Sequence, residues 1–156
     1  MVQTNLYPRS QIDIFVQVLQ QDGGLLQACI NGTTLALANA GIPLLDFVCA
    51  VTGGVHSTSP MLDLTLLEEN DVPNVTVAVM PRLGKATLVT TETRLHIDRF
   101  EEILKLACDA CKVLHTEMKV AVQTRTSMLV AAMGSLPEND RKGEFMDKNV
   151  LGDGDE

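Results

Sequence analysis

Several groups of residues in this 156-residue chain have types and spacing that could do chemistry. The first is Gly23-Gly24, just ahead of a helix-forming stretch. A glycine turn feeding a helix N-terminus presents backbone N–H groups to an anion. The next residues are Leu25 and Leu26, which offer neither a hydroxyl nor a cation, so the pattern also suits a plain turn. The second is Asp63 in MLDL, a possible catalytic acid. It alternates with Leu62 and Leu64, which reads equally as a strand carboxylate facing water or a backbone donor.

The remaining candidates fare worse. His56 lies beside Ser57 and Ser59, but a serine hydrolase needs an acid behind its His and a Gly-x-Ser-x-Gly elbow, and neither pattern is present. Cys108 and Cys111 have CxxC spacing, as in a redox motif or half a zinc site. No second ligand pair accompanies them, so they read as two small hydrophobes on a helix, and Cys29 and Cys49 also lie in apolar stretches. His96 and His115 are nineteen positions apart on one expected helix. At about 1.5 Å per residue they cannot share a metal. We expect no cofactor and no metal.

Charge narrows the classes further. The net charge is −8, and between Arg9 and Arg82 there is no Lys or Arg but seven acidic residues. A free-standing RNA binder needs cations to neutralise phosphates. Aromatic residues are 3% of the chain, with no Trp, so base-stacking surfaces are scarce too. Weak RNA binding by the isolated chain is expected. No apolar run reaches the roughly 18 residues of a membrane span, and the polar start of the chain carries no signal-peptide pattern.

The elements that must position these residues form an α+β pattern. QIDIFVQVLQ (residues 11–20) alternates and predicts a strand, ended by the turn Asp22-Gly23-Gly24. Residues 25–40 predict a helix without a single charge, and a helix lacking a charged face is normally buried. Gly41 and Pro43 stop it. Four strands are expected at 46–52, 61–67, 75–80 and 86–92, with turns at Gly53-Gly54, Asp71–Asn74 and Leu83-Gly84. Short strands in series predict a mostly antiparallel sheet. Apolar residues at three- and four-residue steps predict a long helix over 97–130, with a break near Thr124–Ser127, and Glu101 to Lys105 is a favourable i,i+4 pair. Residues 135–156 read as a disordered acidic tail.

The order and spacing of PRSQIDIFVQVLQQDGG (8–24), ALANAGIPLLDFVCAVTGG (36–54), MLDLTLLEEN (61–70) and RLHIDRFEEIL (94–104) resemble RNase PH-like proteins, especially a core subunit type of the RNA exosome. The resemblance covers about residues 6–133. It implies an RNase PH-like domain over 1–134, incomplete at its N-terminus, with 1–43 the end of a first subdomain and 44–134 a second. Family members have a further half of strands and a helix before this point, and use basic residues there to contact RNA.

The resemblance also says what active members carry. Phosphorolysis needs a phosphate cradle and electrostatic help for phosphoryl transfer. In active relatives a Gly is followed by Thr or Ser and Arg at the start of the buried helix. The matching positions here are the degenerate set Gly23, Gly24, Leu25 and Leu26. Active relatives also place two aspartates six residues apart. The second matches Asp63, while the first falls on Ser57, which cannot supply a carboxylate. The expectation is therefore a non-catalytic subunit in a six-membered ring of RNase PH-like exosome subunits. It would support 3′-to-5′ RNA degradation and processing, including rRNA maturation and mRNA turnover, in nucleus, nucleolus and cytoplasm, with RNA handled by the assembled complex. The alternatives are a phosphate-dependent 3′-to-5′ exoribonuclease and a truncated product with no stable role.

Overall fold

The computed structural model describes residues 1–133, apart from 58 and 92. The expected acidic tail lies outside the described residues. Two units are distinguished, Met1–Val120 and a second beginning at Ala121.

Helix α1 spans Leu25–Asn39 and begins and ends on glycines. Gly24 is its N-cap at φ 58°, a left-handed conformation that glycine adopts without strain. At the other end the N–H of Gly41 donates to Ala38 O and that of Ile42 to Leu37 O, both at 3.1 Å. That pair of bonds is a Schellman stop, as the sequence predicts.

Four strands form one antiparallel sheet in the order β2-β1-β3-β4. They are β1 (Cys49–His56), β2 (Ser59–Leu62), β3 (Asn74–Met80) and β4 (Lys85–Thr90). Alternation assigns their faces. Cys49, Val51, Val75, Val77 and Val79 pack with Ile103, Ala107 and Cys111 of helix α3 (Ile97–Ala132). Val48, Ala50 and Ala78 pack on the opposite side with Ile30 of α1. The sheet is thus covered by a helix on each face, with its core strands β1 and β3 buried.

Several expectations need correction. Residues 11–20 form no strand. Alternation makes a strand only where a neighbouring edge accepts it, and no such pairing exists among the described residues. Helix α1 is not buried all round: only Thr34 and Leu37 are fully buried, and Leu26 is nearly half exposed. Its lack of charge serves specific contacts to β1, described below. The strand expected over 61–67 is cut short at Leu62, and Leu66–Asp71 is helix α2. Thr65 and Glu68 cap it reciprocally, a pattern that overrides the apolar alternation before it.

Gly53-Gly54 is not a turn but the middle of β1. A Cβ on Gly53 would lie 2.9 Å from Ile103 Cγ2, and one on Gly54 2.8 Å from Leu64 Cδ1. These glycines let α3 and the loop before α2 approach the sheet. Helix α3 is unbroken across Thr124–Ser127. There the hydroxyls turn back onto the helix: Thr126 Oγ1 donates to Val122 O and Ser127 Oγ to Thr124 O. The Glu101–Lys105 pair forms at 2.8 Å on the exposed face.

Candidate functional site

The residues singled out at the start of α1 and at Asp63 come together beside the middle of β1, around Thr52. Gly23, at φ 84°, sits against the backbone that leads into α2. A Cβ there would lie only 2.3 Å from Leu64 O and 2.7 Å from Leu66 N. The turn therefore needs glycine for close packing. Glu69, on α2, reaches across so that its Oε1 accepts the N–H of Gly24 at 3.2 Å. A carboxylate of the chain itself thus stands at the positive end of the α1 dipole. Leu25 is half-buried and Leu26 nearly half exposed, and as leucines neither adds a polar group.

Asp63 does not alternate within a strand. It follows β2 in a left-handed bend at φ 59°, and its N–H donates to Thr52 O at 3.0 Å. Its Oδ1 accepts Gln27 Nε2 at 2.8 Å, and Gln27 Oε1 in turn accepts the Thr52 N–H at 2.5 Å. Gln27, in the first turn of α1, therefore bridges Asp63 and β1. Sequence reasoning missed both Gln27 and Glu69. The readable signal was only that polar side chains in or near an uncharged helix must have hydrogen-bond partners.

Ser57 is elsewhere. It lies in the turn joining β1 to β2, at φ 57°, whereas Asp63 lies past the far end of β2 opposite Thr52. The two positions are not brought into one site. Asp63 alone, already engaged by an amide, is a poor donor set for a hard cation that wants several oxygens. Among the described residues no group of three His, Cys, Asp or Glu side chains could hold a metal ion. His56 is exposed at the end of β1, paired in register with Ser59.

The cysteines are free thiols. Cys111 is buried against the sheet and donates to Cys49 O at 3.2 Å, while Cys108 is half-buried. Burial, reinforced by Asp46, pushes the Cys49 thiol up to about 11. Burial, reinforced by Cys49, pushes Cys111 up to about 12. Thiols held neutral in this way are packing groups rather than nucleophiles. Among the described residues no helix is long and apolar enough to cross a membrane.

Comparison with known proteins agrees with this architecture. Residues 1–43 match the model for the 3′ exoribonuclease family, domain 1, and residues 46–110 match that for domain 2. The chain is 40% identical over 132 residues to exosome complex component ski6 of Schizosaccharomyces pombe, covering 85% of this chain and 54% of that protein. It is 41% identical over 132 residues to exosome complex component RRP41 of Mus musculus, covering 84% and 54%. With the RRP41 homolog of Arabidopsis thaliana it shares 42% over 127 residues, covering 81% and 53%. The chain spans about half the length of these relatives. Among solved structures, rice (Oryza sativa) Rrp46 aligns with a TM-score of 0.61 at 24% identity, over 68% of this chain and 50% of the other. That similarity concerns the fold. The two adjoining domain matches and the antiparallel sheet with its long closing helix place this chain in the RNase PH-like 3′ exoribonuclease family.

Proposed function

We propose that the chain acts as a non-catalytic subunit of the RNA exosome, contributing sheet and helix surfaces to a six-membered ring of RNase PH-like subunits. The observation that carries the reading is the start of α1. Where phosphorolysis needs an anion cradle with hydroxyl and cation, Leu25 and Leu26 supply neither, and the Glu69 carboxylate faces the Gly24 N–H. A negative charge at that position opposes a second anion. The similarity to proteins named as exosome components supports the assembly. Within that assembly the subunit would serve 3′-to-5′ RNA degradation and processing, including rRNA maturation and mRNA turnover, in nucleus, nucleolus and cytoplasm.

The test is direct. The purified chain, incubated with single-stranded RNA, Mg²⁺ and inorganic phosphate, should release no nucleoside diphosphates. It should co-purify with RNase PH-like subunits when expressed with them. Its own RNA affinity should be at best micromolar at low salt, with a shallow salt slope. Release of diphosphates that Asp63→Ala abolishes would instead identify a phosphate-dependent exoribonuclease.

A further inference from the structure

Just ahead of β1 the chain gathers basic side chains around a cavity of about 290 Å³. Arg82 comes from the β3–β4 turn, and His115 and Lys119 come from α3. In a chain of net charge −8 with no Lys or Arg between residues 9 and 82, such a grouping is a local reversal of sign. Phe47 and its neighbouring leucines form an apolar wall beside these groups. We propose that this cavity binds a nucleoside monophosphate, with the phosphate against Arg82 and Lys119 and the base along the Phe47 side.

Three features support the assignment. First, the acid within the cavity is already engaged. The Asp46 side chain is only 3% exposed, and its oxygens accept the N–H groups of Phe47, Arg82 and Leu83 at 2.9–3.1 Å. Its one negative charge is set against the two positive charges of Arg82 and Lys119, which leaves the rim net positive. Second, Arg82 is held in place. Its Nη2 donates to Leu45 O at 2.6 Å and its Nε lies 4.0 Å from Asp46 Oδ1. The side chain is nevertheless 71% exposed, so the outer edge of the guanidinium remains open to a phosphate. Third, the His115 ring stands edge-on to Phe47 at 5.6 Å between centroids, so two rings line the cavity beside Arg82 and Lys119.

The body of the ligand follows from the walls. An inorganic phosphate would leave most of the cavity and its apolar side empty. A flat ring attached to the phosphate fills both, in keeping with pockets that combine apolar walls with a few converging polar groups. The phosphate could come from a free nucleotide or from the terminal nucleotide of an RNA. Its recognition chemistry is the same in either case.

Titration of the full chain with AMP, followed by calorimetry and by the imidazole signals of His115, tests the proposal. We expect a Kd of ~1 mM or tighter. Adenosine and inorganic phosphate should each bind about tenfold more weakly, and Arg82→Gln and Lys119→Gln should each cost about tenfold, a loss of ~1.4 kcal/mol. Both replaced side chains are exposed, and the Asp46 bonds to backbone remain, so far-UV circular dichroism and melting of the variants should match the parent. If one variant misfolds, the other still decides. Competition by a 5′-phosphorylated oligonucleotide, but not by its dephosphorylated form, assigns the ligand to an RNA end, whereas competition by neither assigns it to a free nucleotide. AMP affinity unchanged by both substitutions, phosphate binding as tightly as AMP, or unmoved His115 signals would overturn the proposal.

Discussion

Asn31 closes a two-bond ring with the backbone of Ala50: its Nδ2 donates to Ala50 O at 2.9 Å, and its Oδ1 accepts the Ala50 N–H at 2.8 Å. It is the centre of a series. Gln27 accepts from Thr52 N, and Thr34 Oγ1 donates to Val48 O at 2.9 Å. The spacing of four and then three residues puts all three side chains on one face of α1. Strand β2 pairs with β1 only from Gly53 to His56, so these side chains cover the part of the β1 edge that β2 does not reach. An uncovered edge is a template for unwanted pairing.

The first prediction follows from that ring. Asn31→Leu removes both partners of Ala50 and leaves a carbonyl and an N–H without bonds. Each such group costs about 1–3 kcal/mol when buried. Chemical denaturation should show a loss of at least ~2 kcal/mol, with Asn31→Gln intermediate. A loss within ~0.5 kcal/mol, the range of an ordinary surface change, would mean that water replaces the side chain freely.

A second prediction concerns the contact between Gly53 and α3. Ile103 is fully buried, and its Cγ2 would stand 2.9 Å from a Cβ on Gly53. Gly53→Ala should destabilise the fold by about 1–3 kcal/mol through overpacking. Ile103→Ala should cost about 2–5 kcal/mol through the cavity it leaves. The double variant should be more stable than the two losses added together, because each change relieves the other. Strict additivity in a double-mutant cycle would show that the two positions do not press on one another.

The legibility of this chain divides along physical lines. Elements defined by local chemistry were readable: Gly24 and Gly41 bracket α1, and the apolar steps of α3 predict its start at Ile97. Elements defined by a distant neighbour were not. The alternation of residues 11–20 does not say whether a strand edge awaits it, and Gly53-Gly54 looks like a turn until Ile103 and Leu64 are placed against it. Helix α2 was readable in principle from Thr65 and Glu68, but the apolar residues before it pointed to a strand. At the site, Asp63 and the glycine turn were found from sequence, whereas Gln27 and Glu69 act through contacts 36 and 45 positions away. No local pattern announces contacts of that range.

A third prediction uses the thiols. Cys49 and Cys111 hold their protons to about 11 and about 12, chiefly because burial disfavours the thiolate. Iodoacetamide at mildly alkaline pH should therefore modify Cys29 and Cys108, the half-buried pair, well before Cys49 and Cys111. Peptide mapping reads the order. Linkage gives the matching stability effect. The folded values lie above the unfolded thiol value of about 8.5, so this contribution is complete below that pH and is lost as pH rises toward the folded values. Denaturation midpoints should fall over that alkaline range, and fall less in a Cys49→Ala, Cys111→Ala variant. Equal labelling of all four cysteines in the native protein would contradict the burial on which this rests.

The last prediction concerns residues 11–20. Their side chains remain open to solvent: Phe15 is 92% exposed and Leu19 91%, with Ile14, Val16 and Val18 about half exposed. Five large apolar side chains in ten residues, on a backbone without ladder partners, make a surface that pairs with other chains. Burying each such side chain is worth about 1.5–3 kcal/mol, enough together to drive association. The purified chain should therefore self-associate with rising concentration and bind apolar dyes, and an RNase PH-like partner should suppress both. Phe15→Ser with Leu19→Ser separates this surface from the folded core. Because neither ring nor methyls touch the sheet core, the double variant should keep the parent melting transition within the small range of exposed substitutions. At the same time it should shift sedimentation toward monomer and lower dye fluorescence. A parent chain that sediments as a monomer and stays dark to the dye would show that these residues find cover within the chain itself. A variant that loses its melting transition would show that they belong to the core.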